Sequence, residues 1–144
     1  MGIRKMDHVG IVVGNLEAAT AFFLELGLKV EGQARVEGEW AGKVIGLEDV
    51  RSDVVMLRSP DGSSIELSKF LEPAAESDAG PARVNRVGIR HIAFLVDDLD
   101  VMVTRLRERG VQLVGEVQNY RDVYLLCYVR GPEGIFVELA ERIG

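Results

Sequence analysis

A single cysteine, Cys127, rules out a disulfide within the chain. It lies in the apolar run Tyr124-Leu125-Leu126-Cys127-Tyr128-Val129 and reads as a buried structural thiol. No apolar run approaches membrane-spanning length. The basic pair Arg4-Lys5 is not followed by an apolar stretch of signal-peptide size. Gly2 is followed at position 6 by Met6 rather than Ser or Thr, so the myristoylation pattern is incomplete. These absences point to a cytoplasmic protein with no membrane partner. A basic excess is also missing: the formal net charge is −6, and no Lys/Arg patch with interleaved aromatics occurs, which excludes nucleic acid as the main partner. The expected partner is a small molecule. With 144 residues and 47% hydrophobic composition, the chain is long enough to bury a core as one domain or two small modules.

Histidine is equally scarce, and its placement is informative. His8 opens Asp7-His8-Val9-Gly10-Ile11-Val12-Val13, and His91 opens Arg90-His91-Ile92-Ala93-Phe94-Leu95-Val96. They lie 83 residues apart, as do Leu16 and Leu99, and Gly27 and Gly110. Pro60-Asp61-Gly62 with Glu66 recurs as Pro132-Glu133-Gly134 with Glu138, at a spacing of 72. The chain is therefore an internal repeat, and its first copy holds 11 extra residues around Trp40 to Val50. An insertion confined to one copy is expected to form a loop.

Each copy reads as strand, helix, then three strands. Residues 6–13 and 89–96 have strand patterning. Leu16, Ala19, Phe23 and Leu26 form one helical stripe, and Leu99, Met102, Val103 and Leu106 form the other. Asn15, and Asp97 or Asp98, are the expected N-caps. Gly27 and Gly110 are the expected C′ residues. Strands are expected near 29–37, 53–58 and 63–69, and again near 112–118, 123–129 and 134–140. The predicted organisation is a first module over 1–70 with its insertion near 40–50, a linker over 71–87, and a second module over 88–144.

Strand side chains alternate between faces. His8, Glu66, His91 and Glu138 each fall opposite the apolar set that packs on a helix. The helices lie outside, so the other faces form a shared concave side on which two imidazoles and two carboxylates converge. This donor set suits one divalent ion per site: zinc, nickel, iron, manganese or cobalt. Four ligands close a tetrahedral site, whereas an octahedral ion keeps open positions for two neighbouring substrate oxygens. Trp40, Tyr124, Tyr128 and Arg121 are the expected substrate contacts, with Tyr120 and Arg58 nearby at strand ends. Glu48 is a possible base carried by the insertion.

Over about 6–70 and 88–140 the chain resembles the vicinal oxygen chelate superfamily of glyoxalases, bleomycin resistance proteins and dioxygenases. The resemblance implies an α+β fold, in which two paired βαβββ modules form a cupped mixed sheet. It implies metal ligands on the first and fourth strands of each module, here His8, Glu66, His91 and Glu138, as in glyoxalase I and methylmalonyl-CoA epimerase. Glyoxalase I carries a glutathione-binding arginine where this chain has Val12, which argues against a glutathione adduct. The implied reaction is abstraction of a proton next to a carbonyl, isomerase or lyase in type, through a metal-stabilised enediolate. Glu138 or Glu66 serves as base, with Glu138 favoured. Two alternatives remain open: a drug- or metabolite-binding resistance protein without chemistry, and an iron-dependent dioxygenase. A homodimer is expected, with modules paired within one chain or exchanged between two.

Overall fold

The computed structural model describes residues 1–77 and 81–144, which divide into two compact units, Met1–Asp78 and Ala79–Gly144. The first unit runs β1 (His8–Val12), α1 (Leu16–Glu25), β2 (Lys29–Glu37), α2 (Glu39–Ile45), β3 (Arg51–Arg58) and β4 (Ser64–Glu72). The second runs β5 (His91–Leu95), α3 (Leu99–Glu108), β6 (Gln112–Leu113), β7 (Gln118–Tyr120), β8 (Tyr124–Arg130) and β9 (Phe136–Arg142). The class is α+β with two mixed sheets. In the first unit the strand order is β1-β4-β3-β2, with β1 and β4 parallel and the other pairs antiparallel. In the second it is β5-β9-β8-β6, again with only the first pair parallel, and β7 also pairs with β8.

The two long helices begin and end alike. Asn15 Oδ1 accepts from the Ala18 amide at 3.0 Å, and Asp98 Oδ1 accepts from the Val101 amide at the same distance. Both helices close in a Schellman motif. Leu28 N donates to Phe23 O and Gly27 N to Leu24 O; Val111 N donates to Leu106 O and Gly110 N to Arg107 O. Gly27 and Gly110 have φ of 106° and 84°, a region that costs glycine nothing. The helices bury Ala19, Phe22 and Phe23 in one unit, and Leu99, Val103 and Leu106 in the other. Val55, Leu57, Ile65 and Leu67 complete the first core; Cys127, Val129, Val137 and Leu139 complete the second. Cys127 is 2% exposed, and burial pushes its thiol pKa up.

Three expectations need correction. The insertion is not a loop: Glu39–Ile45 is the helix α2, closed by Gly46 at φ 77° and by Leu47 N donating to Gly42 O at 3.1 Å. A Cβ on Gly42 would stand 2.3 Å from the Leu47 carbonyl oxygen, so the closure needs glycine there. The strand expected at 112–118 is two short strands, β6 and β7, on either side of Val114–Val117. Leu71 and Glu72, assigned to the linker, belong to β4, where Glu72 pairs with Arg51. Between the two helix N-cap candidates of the second copy, Asp98 makes the cap. Among the described residues, no helix is long and apolar enough to cross a membrane.

Candidate functional site

β1 is exposed at His8, Gly10 and Val12 and partly covered at Val9 and Ile11; β5 repeats this at His91, Ala93 and Leu95 against Ile92 and Phe94. Each histidine thus lies on the face away from its helix. In parallel register, Gly10 stands beside Glu66 and Ala93 beside Glu138. The small residue leaves room for its neighbour's carboxylate, and the histidine two positions earlier reaches that carboxylate diagonally. His8 Nε2 lies 3.1 Å from Glu66 Oε2, and His91 Nε2 lies 4.0 Å from Glu138 Oε1. The glutamate side chains are only 30% and 26% exposed, and a carboxylate so far withdrawn from water favours a cationic partner.

The surroundings of the two pairs differ. His8 Nδ1 is 2.7 Å from Asp7 Oδ2. An Nδ1–H held by this carboxylate fixes the ring so that Nε2 faces Glu66; Nε2 carries a proton to Glu66 when the imidazole is charged and is the nitrogen left for an ion when it is neutral. The same Asp7 contact, opposed by partial burial and aided by Glu66, raises the His8 pKa above 6.5, and Asp7 in turn is held below the usual carboxylate range by His8. Glu66 Oε1 accepts from Ser68 Oγ at 3.3 Å. In the second unit the preceding residue is Arg90, whose Nε is buried without a partner. His91 meets Tyr128 instead: its hydroxyl lies 3.2 Å from Nδ1 and 3.3 Å from Nε2, and the rings are 4.9 Å apart and tilted by 50°. Near-equal distances to both nitrogens place the hydroxyl against the ring rather than along one nitrogen's axis. Tyr128 also pairs in register with Glu138, where the first unit has Met56 beside Glu66. Burial pushes the Tyr128 phenol up, and the charge and hydrogen bond of Glu138 push it the same way.

An imidazole nitrogen and a carboxylate oxygen within 4.0 Å of each other are donors of the kind that suits a borderline divalent ion such as zinc, nickel, iron, manganese or cobalt. Each unit supplies two donors. Among the described residues, no group of three or more His, Cys, Asp and Glu side chains is gathered for one ion.

The expected substrate contacts are dispersed. Tyr128 joins the His91–Glu138 pair. Tyr124 shares its strand face but stands four residues along β8, roughly 13 Å away at the usual strand rise, opposite Arg142. Arg121 is on the turn beyond it, with φ 54° and its guanidinium 5.3 Å from the Tyr120 ring centroid. Trp40 is exposed on α2, which follows the edge strand β2. That helix adjoins Glu37, Arg51 and Glu72, and Glu72 is six residues along β4 from Glu66, roughly 20 Å. Glu48 lines a cleft of about 880 Å³ with Glu37, Gly42, Leu47, Val50 and Glu72, away from the His8–Glu66 pair. Arg58 is ion-paired with Glu31. The role of Asp7 escaped the sequence reading, although an acid directly before His8 was its signal.

Comparison with known proteins agrees with the fold. The profile of the Glyoxalase/Bleomycin resistance protein/Dioxygenase superfamily matches residues 7–128. The crystal structure of a glyoxalase family protein from Bacillus cereus is 49% identical, with a TM-score of 0.94 over 100% of this chain and 97% of that one. The ethylmalonyl-CoA/methylmalonyl-CoA epimerase of Cereibacter sphaeroides is 28% identical over 144 residues, covering 96% of this chain and 98% of the relative. The trypanothione-dependent glyoxalase I of Leishmania major, 22% identical with a TM-score of 0.65 over 96% of this chain and 87% of that one, shares the fold.

Proposed function

The chain belongs to the glyoxalase/bleomycin resistance protein/dioxygenase superfamily, and from that premise we propose a metal-dependent isomerase or lyase that removes a proton next to a carbonyl of a small substrate. The observation that supports it is the recurrence, at the same sheet register, of a histidine facing a glutamate: His8 with Glu66 and His91 with Glu138. On this reading a unit of each kind brings its pair to one ion, within a chain or between the two chains of a homodimer. His8, Glu66, His91 and Glu138 are then the ligands. A divalent ion so held supplies Lewis-acid stabilisation of the negative charge that develops on the substrate oxygen.

The chain's own residues do the rest. Asp7 fixes the His8 tautomer. Ser68 holds one oxygen of Glu66 and leaves Oε2 toward His8. Glu138 doubles as the base, a ligand carboxylate that swings free to take the proton: it stands farther from its histidine than Glu66 does, and the Tyr128 hydroxyl lies beside it. The kinship with an epimerase is in keeping with this, since inverting a carbon beside a carbonyl begins with loss of its proton. A buried free thiol at Cys127 accords with a cytoplasmic setting.

The test is proton exchange. Metal-loaded protein is incubated in D2O with small hydroxyketones, 2-oxo aldehyde adducts and acyl-CoA thioesters, and the α-proton signal is followed by NMR. Exchange with at least one class, absent in His8→Ala, is expected. Metal-loaded wild type that exchanges none of them contradicts the proposed reaction.

A further inference from the structure

Arg58 and Arg130 are equivalent residues, 72 positions apart like the two glutamates. Each ends its strand: Arg58 pairs with Ser64, which pairs with His8, and Arg130 pairs with Phe136, which pairs with His91. Both share a face with the His–Glu pair of their unit. Their charges are treated differently. In the first unit the register of β2 slips between Val30 and Gly32, and the bulged residue, Glu31, ion-pairs with Arg58. In the second unit the matching strand is only Gln112–Leu113, and neutral Gln112 faces Arg130. Among the described residues no carboxylate pairs with Arg130. Its guanidinium carbon sits 5.2 Å from the Phe136 ring centroid. The cation–π contact restrains the guanidinium, and with no carboxylate paired to it among the described residues its N–H groups are left for a carboxylate or phosphate, which an arginine takes bidentately.

We propose that Arg130, seated on Phe136, is an anion subsite beside Glu138 and Tyr128, so that the substrate is an anionic carbonyl compound bearing a carboxylate or a phosphate. Arg130 is the next residue on the same face after Tyr128, a step of about 7 Å. A substrate anion there places a carbon a few bonds away within reach of Glu138. The assignment of the carbonyl rests on the function proposed above; the anion subsite itself does not. Glu31 closes the equivalent position in the first unit, so the two units offer one such subsite.

The full-length chain, with and without bound zinc, is titrated with pyruvate and with inorganic phosphate. Arginine side-chain Nε–H and backbone amide signals are followed by NMR in wild type, Arg130→Gln and Arg58→Gln. In wild type, saturable movement of the Arg130 signal and of the neighbouring backbone amides is expected; those amides report an affinity about tenfold weaker in Arg130→Gln and unchanged in Arg58→Gln. The probe that saturates identifies the anion as carboxylate or phosphate. Equal binding by wild type and Arg130→Gln, an equal loss in Arg58→Gln, or no saturable binding of either probe overturns the subsite. Metal content of the same samples separates the two readings. Anion binding at Arg130 in a chain that takes up no metal leaves the subsite standing and removes the proposed reaction.

Discussion

The two units place a histidine and a glutamate at the same register and then dress them differently. Around His8 every neighbour acts on orientation: Asp7 holds Nδ1, Glu66 faces Nε2, and Ser68 holds Glu66. Around His91 the partner is the Tyr128 hydroxyl, set against the ring, and the carboxylate is 4.0 Å away rather than 3.1 Å. The pattern repeats one strand over, where Arg58 is neutralised by Glu31 and Arg130 is not. Repetition of a backbone fixes where Cβ atoms stand. The residues beside them decide whether a side chain is held as a rigid donor or left free to meet a ligand. On the proposed reaction, this difference makes the first unit the anchor and the second the reacting half.

The division of labour is broken most sharply at the two glutamates. In Glu138→Gln, α-proton exchange should fall by about 100-fold or more, the usual loss when a general base is removed. Glu66→Gln should act mainly by weakening metal affinity. Kinetics at saturating metal distinguish the two, and equal losses at saturation would erase the comparison. Next comes Asp7→Asn, which should weaken metal binding by about 10- to 100-fold through loss of the held tautomer. Competition titration with a chromogenic chelator measures it. An Arg90 substitution in the second unit has no such contact to lose and should leave affinity near wild type.

Gly42→Ala probes the feature found only in the first unit. The added methyl meets the Leu47 carbonyl at 2.3 Å, so the closure of α2 must open, at a cost of about 1–3 kcal/mol in thermal or denaturant unfolding. The smallest effect is in pH. His8 is raised by Asp7, so its contribution to stability is fully present below 6.5 and is lost as pH rises through the raised value. In metal-free protein, Asp7→Asn should lower the His8 midpoint by NMR and flatten that part of the stability profile. An unchanged midpoint would mean that the Asp7 contact carries no weight in solution.

Much of this layout is legible in the sequence, for a physical reason. Strand alternation and the paired spacings of 83 and 72 are backbone periodicities, so the strand face on which His8, Glu66, His91 and Glu138 stand can be counted. The helix caps at Asn15 and Gly27 are local and equally readable. What escapes depends on non-local fit. Gly42 and Gly46 look like loop residues, yet they are what allows α2 to close on Leu47. The short β6 and the bulge at Glu31 follow from pairing with neighbouring strands, which no single-strand pattern carries. Trp40, in the insertion, reads as a substrate contact, whereas it stands exposed on α2, away from Glu66.

In the proposed site the two His–Glu pairs are halves that hold one metal ion. The most direct test of this is the metal content of protein purified without an affinity tag, by mass spectrometry, for wild type, His8→Ala, Glu66→Ala, His91→Ala and Glu138→Ala. About one divalent ion per chain is expected in wild type, and a loss of that ion whichever of the four residues, from either unit, is removed. A wild type that holds no metal and takes up none of added zinc, nickel, manganese, cobalt or ferrous iron would contradict it. So would an ion whose retention depends on the residues of one unit alone.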